Sequence, residues 1–418
     1  MTRSERESSW IAWTVANVFY LYEVMLRVSP SVMTNDLMSH YDITSGALGV
    51  MISFFYYSYT ALQLPCGFIL DKLGPRNIVG LSAALSTVGS VLFALTKSVC
   101  VAQFGRCLMG AGAACAFISC LQVASTAFPI RHFAVFAAIT NMMGTFGGLC
   151  AGFPIARAVN LIGWRETTFI LAAIGGVIAI AAFLLIPKNM SVPKSADSRE
   201  PFGATFGKIL KNKQIILIGI IGGFMYLPVS VFAELWAVPF FMAKCGINNE
   251  TASFASATSF IGFAIGSVPI AMIAKKLNGY MKTIRLTIIS VAALFIPLVY
   301  VQDMTASFIV VFLIGFATAG EVLIFTCAKN NESLENSGSA VAFANCFVML
   351  VGAIFQPALG VLLDVFWTGT TAANGLRVYE IAAYQKAMLV LPICLIVAYA
   401  MSFWVNETLE SERDKEDT

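Results

Sequence analysis

Long apolar runs, each about as long as a bilayer is thick, alternate along this chain with short polar punctuation. A helix needs roughly 20 mostly apolar residues to cross hydrocarbon. Twelve runs meet that length: 10–34, 46–70, 77–96, 100–126, 133–157, 167–187, 214–242, 251–274, 284–301, 306–328, 338–364 and 381–405, numbered spans 1 to 12. Pro, Gly and polar clusters separate them. The pattern predicts an all-α polytopic membrane protein with twelve transmembrane helices.

Composition points the same way. Of 418 residues, 58% are hydrophobic and 12% charged, and the mean hydropathy is +0.80. A soluble domain is nearer 45–50% apolar and about 25% charged. A net charge of +3 gives no reason to expect nucleic acid as a partner. The ten cysteines include Cys107, Cys115, Cys120, Cys150, Cys346 and Cys394 within apolar runs and form no CxxC pair. They are expected to act as small hydrophobes rather than as a disulfide framework. The start, MTRSERESS, is polar and leads into a run too long for a signal-peptide core, so no cleavable signal is expected.

Lysine and arginine set the expected orientation. Most of the 26, from Arg3 and Arg6 through Lys72, Arg76, Arg131 and Lys188 to Lys415, fall on the side that carries both termini. The other side holds Lys97, Arg157, Arg165, Lys244, Arg377 and Lys386. Both termini are therefore expected in the cytoplasm. Short loops and tails suggest a cell inner or plasma membrane.

The longest polar connection, residues 187–214, divides the chain into halves of six spans: 1–187, a cytoplasmic linker at 188–213, and 214–418. The halves resemble each other. LPCGFILDKLGP (64–75) aligns with VPIAMIAKKLNG (268–279) at an offset of 204, and the same offset pairs Asn141 with Asn345 and Gly148 with Gly352. A constant offset at separate places indicates duplication.

Charges inside spans carry the candidate chemistry, because an ionised group at the bilayer centre costs roughly 2.5–3.5 kcal/mol even on the mild insertion scale. In span 1, Phe19, Glu23, Arg27 and Ser31 recur every four residues and form one stripe, with Pro30 beside it. The stripe is expected to face a polar cavity, and Glu23 and Arg27 can also pair with each other. Span 7 repeats the pattern with Tyr226, Ser230 and Glu234, followed by Pro239. Glu321, in GFATAGEVLIF of span 10, is the third deep acid.

Arg27 can grip a carboxylate or phosphate in two places at once. Tyr20, Glu23, Asn141, Glu234 and Asn345 complete the candidate substrate set; Gln122, Gln356 and the aromatic group Tyr56, Tyr57 and Tyr59 are weaker members. Burial disfavours the charged form of a carboxyl group, which makes Glu234, Glu321 and Glu23 proton-coupling candidates. A fixed ion pair is the competing reading for Glu23. Arg106, about six residues inside one end of span 4, either reaches for the interface or serves the proton site.

The loop after span 2 reads GFILDKLGPR, with Gly67, Asp71, Lys72, Gly74 and Arg76. It resembles the G-x-x-x-D-[RK]-x-G-[RK]-[RK] signature of the major facilitator superfamily, departing at Pro75. RCLMGAG (106–112) is similar to that family's R-x-x-x-G-x-G pattern. The resemblance covers the whole chain. It implies two parallel six-helix repeats with a substrate site near the midplane, and a gating role for the loop motif. In span 5, Gly144, Gly148 and Gly152 allow close packing, but AGFPIA lacks the Gly-Pro pair of the family's antiporter signature, which weakens a drug-efflux reading.

Enzyme readings find no support, since the chain has no phosphate-binding glycine loop, no metal-ligand spacing and two histidines, His40 and His132, near loops. No cofactor is expected. The leading expectation is a monomeric secondary transporter moving a small polar metabolite, an amino acid, small peptide or organic anion, by alternating access in symport with protons or another coupling ion. Efflux of amphiphilic compounds or siderophores is the alternative within transport; a non-transporting transceptor or scaffold is the alternative outside it.

Overall fold

The computed structural model describes residues 3–188, 207, 209–277, 279–332, 337–373 and 375–407. Among these, ten helices are long and apolar enough to cross a membrane, from Lys72–Leu95 to Ile381–Trp404. The two remaining runs are also helical: span 1 as Arg3–Val28, and span 2 as the first limb of Ser45–Leu95. Their hydropathy is diluted by the residues of chemical interest, Glu23 and Arg27 in span 1 and Ser53, Tyr56, Tyr57, Ser58, Tyr59 and Gln63 in span 2. The architecture is all-α and polytopic, as the apolar pattern predicts.

Local chemistry explains where the rods start, stop and bend. Asn212, Asn248 and Asp303 cap the starts of spans 7, 8 and 10 by accepting backbone N–H groups, for example Ala306 N at 2.7 Å from Asp303 Oδ1. Gly74 separates spans 2 and 3 with φ 73° and ψ 160°, outside helical space. That region of backbone space is open to glycine at little steric cost, which accounts for the glycine in the loop motif. Span 7 carries a π-helical stretch, Pro228–Trp236, between two α-helical limbs. Span 10 narrows to a 3-10 turn at Ala319–Glu321.

Contacts group the chain into two compact units: Met1–Tyr41 with Val50–Arg199, and Asp42–Gly49 with Glu200–Thr418. Most of the linker expected at 188–213 lies outside the described residues.

One expectation is corrected. Cys66 and Cys115 form a disulfide, with Cα atoms 5.6 Å apart and a sequence separation of 49. Their neighbours Leu70 and Ile78 are apolar and buried. The packing of span 2 against span 4 brings the sulfurs together, and no spacing along the chain signals it. Cys120, Cys327, Cys346 and Cys394 are buried free thiols.

Candidate functional site

The site in the first unit is built from a proline outward. Pro30 has no backbone N–H, so the Leu26 carbonyl four residues earlier loses its helical donor, and Ser29–Val32 winds as a 3-10 turn. Ser29 Oγ, at 3.2 Å, and Arg106 of span 4 supply replacements. Arg106 Nη1 donates to Leu26 O at 3.1 Å and its Nη2 to Arg27 O at 3.5 Å. The guanidinium lies 4.9 Å over the Phe55 ring. A cation is favoured at carbonyls that end a helix. Arg106 is only 1% exposed, so it does not reach for the interface, the first of its two readings.

Glu23 sits beside this anchor, 2% exposed. Its Oε1 accepts a hydrogen bond from Ser86 of span 3 at 2.6 Å, and its Oε2 is buried without a hydrogen-bond partner. The Arg106 charge acts on the Glu23 carboxyl group. The acid is thus held by spans 3 and 4 instead of pairing with Arg27 one turn along its own helix. The glycines of RCLMGAG make this possible. A Cβ on Gly110 would lie 2.0 Å from the Phe55 carbonyl oxygen, and one on Gly112 would lie 2.2 Å from Ser86 Oγ.

Tyr20, Glu23, Val24, Arg27, Phe55, Tyr59 and Ala113 line a cavity of about 30 Å³. That is room for about one water molecule, not a metabolite. Gly144 of span 5 closes against the Tyr20 ring, 2.7 Å from a notional Cβ. Of the predicted substrate residues, Tyr20, Glu23 and Arg27 meet here. Phe55 and Ala113 are additions; Phe55 stacks on Tyr59 with the rings 12° apart in plane. The four-residue spacing of Phe55 and Tyr59 is the sequence signal that puts both on one face of span 2. Asn141 is exposed on span 5 and does not line the cavity.

In the second unit, Glu234 is 1% exposed within the π-helical stretch. There the i→i+5 winding replaces the four-residue stripe expected of Tyr226, Ser230 and Glu234. Side chains from other spans satisfy carbonyls of this stretch: Gln356 Nε2 donates to Ser230 O at 2.8 Å, and Ser256 Oγ to Ala233 O at 2.8 Å. The Trp236 indole donates back to Gln356 O at 3.1 Å. Gln356, a weak substrate candidate from sequence, is a structural clasp. Glu321 is buried at the 3-10 turn of span 10, where Gly320 packs on Thr287 of span 9. Asn345 is half-buried in span 11. The cavity of the first unit takes in none of these residues.

Of the loop motif, Lys72 is exposed and Arg76 donates to the Phe183 carbonyl of span 6. The side chains of Gly67 and Asp71 lie outside the described residues. Among the described residues, no group of three or more His, Cys, Asp or Glu is placed to hold a metal ion.

Comparison with known proteins adds to this geometry. Residues 12–357 match the sequence model of the Major Facilitator Superfamily. The probable sulfoacetate transporter SauU of Cupriavidus necator is 26% identical over 157 residues, covering 38% of this chain and 36% of that protein. The probable galactarate/D-glucarate transporter GudP of Escherichia coli is 20% identical over 420 residues, covering 90% and 91%. Over the first three curated relatives, the match spans between 35% and 52% of their length. A bacterial homologue of the human lysosomal transporter Spinster, in an inward-facing, unoccupied crystal structure, superposes with a TM-score of 0.81 over 99% of both chains at 16% identity.

Proposed function

This chain belongs to the Major Facilitator Superfamily and is a membrane transporter rather than an enzyme, and from that premise we propose that it imports a small organic anion together with a proton. One observation carries the reading: Arg27 and Glu23 line the same cavity, a fixed cation next to an acid that can gain and lose a proton.

Arg27 is the grip. Its planar guanidinium matches the paired oxygens of a carboxylate or sulfonate, and Tyr20 and Tyr59 add hydroxyl groups to the same lining. Ionised Glu23 repels an incoming anion, whereas protonated Glu23 does not. Across one helical turn, about 6 Å, at an effective dielectric near 20, one charge is worth on the order of 3 kcal/mol, or roughly 100-fold in affinity. The coupling is reciprocal, so a bound anion draws the proton onto Glu23 by the same factor. Cargo and proton then load together, which is the requirement for symport. Its place in the same cavity as Arg27 favours Glu23 over Glu234 and Glu321 as the first proton site.

The names of the relatives, sulfoacetate for one and galactarate and glucarate for the other, support an acidic metabolite over an amino acid or peptide. Asn141 and Asn345 are retained as polar contacts for a larger cargo, Glu234 and Glu321 as secondary proton sites, and Asp71, Lys72 and Arg76 as a gate. Each half of six spans, 1–187 and 214–418, acts as one body, the protein is a monomer, and both termini face the cytoplasm of an inner membrane.

Proteoliposomes holding the purified chain and loaded at alkaline pH test the reading. Sulfoacetate, glucarate, amino acids and a lipophilic cation are offered outside at lower pH. Accumulation of an organic anion that collapses with the pH gradient is expected. Uptake indifferent to the gradient, or confined to the lipophilic cation, overturns it. No flux of any compound favours a transceptor.

A further inference from the structure

We propose that the first unit holds the phosphate of an anionic phospholipid in a second cavity, where span 3 begins and span 6 ends. The cavity measures about 230 Å³ and is lined by Gly74, Pro75, Arg76, Asn77, Pro187 and Lys188. It is several times larger than the Arg27 cavity and shares no residue with it. Among the described residues, both charged side chains in its lining are cations.

The walls are built for rigidity. Gly74 turns the chain with a positive φ of 73° that closes span 2 and releases span 3. Pro75 and Pro187 fix the backbone on either side. Arg76 donates to the carbonyl oxygen of Phe183 in span 6, and that contact holds its guanidinium across the two helices. The ring of Phe183 packs against Gly80 one turn further along span 3. Arg76 Nε is buried and has no hydrogen-bond partner. An anchored guanidinium lining a cavity that a lysine also lines is matched by a phosphate oxygen.

The surroundings favour a lipid as the source of that phosphate. Leu81 lies one turn beyond Asn77 on span 3, and Leu184 lies in the last turn of the span 6 helix, which ends at Leu185; they are 53% and 76% exposed. Leu73, on the cavity's own rim, is also exposed. A headgroup in the cavity would place its acyl chains along these leucines, whereas free phosphate would use the two cations alone. Among the described lining residues there are two cations and no acid, which favours a headgroup of net negative charge, as basic pockets between membrane helices commonly take.

The test uses the purified full chain in detergent, with thermal unfolding followed as dioleoylphosphatidylglycerol, dioleoylphosphatidylcholine or inorganic phosphate is added. Saturable stabilisation by the glycerol lipid and none by the choline lipid is expected. Lys188→Gln should weaken the apparent affinity about fivefold, the worth of one basic contact, and Arg76→Gln with Lys188→Gln should abolish the response. Because Arg76 also braces span 6, the single Lys188 variant decides the matter if the double variant folds poorly. Lys275→Gln with Lys276→Gln, an exposed basic pair on the other unit, should leave the response intact. An equal response to the choline lipid, or one unchanged in Lys188→Gln, overturns the site. Equal stabilisation by inorganic phosphate overturns the lipid as its occupant.

Discussion

Arg106 Nη1 donates to the carbonyl oxygen of Leu26 at 3.1 Å, the acceptor that Pro30 deprives of a helical donor. One side chain thereby repairs a break in span 1 and sets a positive charge beside Glu23. Arg106→Gln removes the charge and most of the fork; Arg106→Lys keeps the charge but cannot reach two carbonyls in one plane. The glutamine variant should lose about 0.5–1.5 kcal/mol of stability, since Leu26 O keeps the Ser29 Oγ donor, and the lysine variant less. Both should lose most gradient-driven uptake. Thermal unfolding and proteoliposome flux read the two effects separately, and full uptake by Arg106→Lys would show that only the charge matters.

Glu23→Gln removes the titrating group while its amide oxygen can still accept from Ser86. Anion exchange between equal pools should survive, and accumulation against a gradient should not. Gradient-driven accumulation by this variant would remove Glu23 from the proton path. Ser86→Ala leaves the acid in place without its donor at Oε1, at a cost of about 1–3 kcal/mol.

Arg27 is half-buried at the cavity wall, so its loss should be felt by the ligand more than by the fold. Arg27→Ala should weaken anion binding by about 1.5–3 kcal/mol, the range for a hydrogen bond to a charged group. Stability should move by about 1 kcal/mol, the usual cost of a single substitution. Titration calorimetry with the anion found by flux, beside unfolding of the apoprotein, checks both numbers. An unchanged dissociation constant removes Arg27 from the site.

What could be read from the chain, and what could not, follows from the range of each signal. Tyr20, Glu23 and Arg27 share a wall because one helix's periodicity suffices to put them there. The bond from Ser86 to Glu23 and the reach of Arg106 to Leu26 depend on which faces spans 3 and 4 turn toward span 1, and no local pattern encodes that. Pro30 marked a bend, but not the side chain that fills it. The π-helical winding around Glu234 likewise has no local signature, since Pro228 and Pro239 only bracket it. Apolar length found the twelve runs, while the site residues themselves pull spans 1 and 2 out of the ten most apolar helices.

Gln356 and Ser256 hold the π-helical stretch from two sides, through Ser230 O and Ala233 O. Gln356→Ala should cost about 1–3 kcal/mol by stranding a buried carbonyl. Gln356→Glu should rescue it only while the new acid is protonated, because a carboxylate has no hydrogen to donate. Both clasps act on one segment, so the Gln356→Ala, Ser256→Ala pair should depart from additivity by at least about 0.5 kcal/mol. Thermal unfolding of the four proteins checks this; strict additivity would mean the two bonds act on independent elements.

The glycines of span 4 separate packing from coupling. A Cβ on Gly110 meets the Phe55 carbonyl oxygen at 2.0 Å, and one on Gly112 meets Ser86 Oγ at 2.2 Å and Ser82 O at 2.6 Å. Overpacking of this kind typically costs about 1–3 kcal/mol, so Gly110→Ala and Gly112→Ala should both unfold at lower temperature. Only Gly112→Ala pushes directly on the donor of Glu23. It should lower the ratio of gradient-driven accumulation to exchange, as Ser86→Ala does, whereas Gly110→Ala should lower both fluxes in proportion to the folded protein recovered. An unchanged ratio in Gly112→Ala would mean that Ser86 can leave Glu23 without consequence for the proton, and the hydrogen bond at 2.6 Å would then serve packing alone.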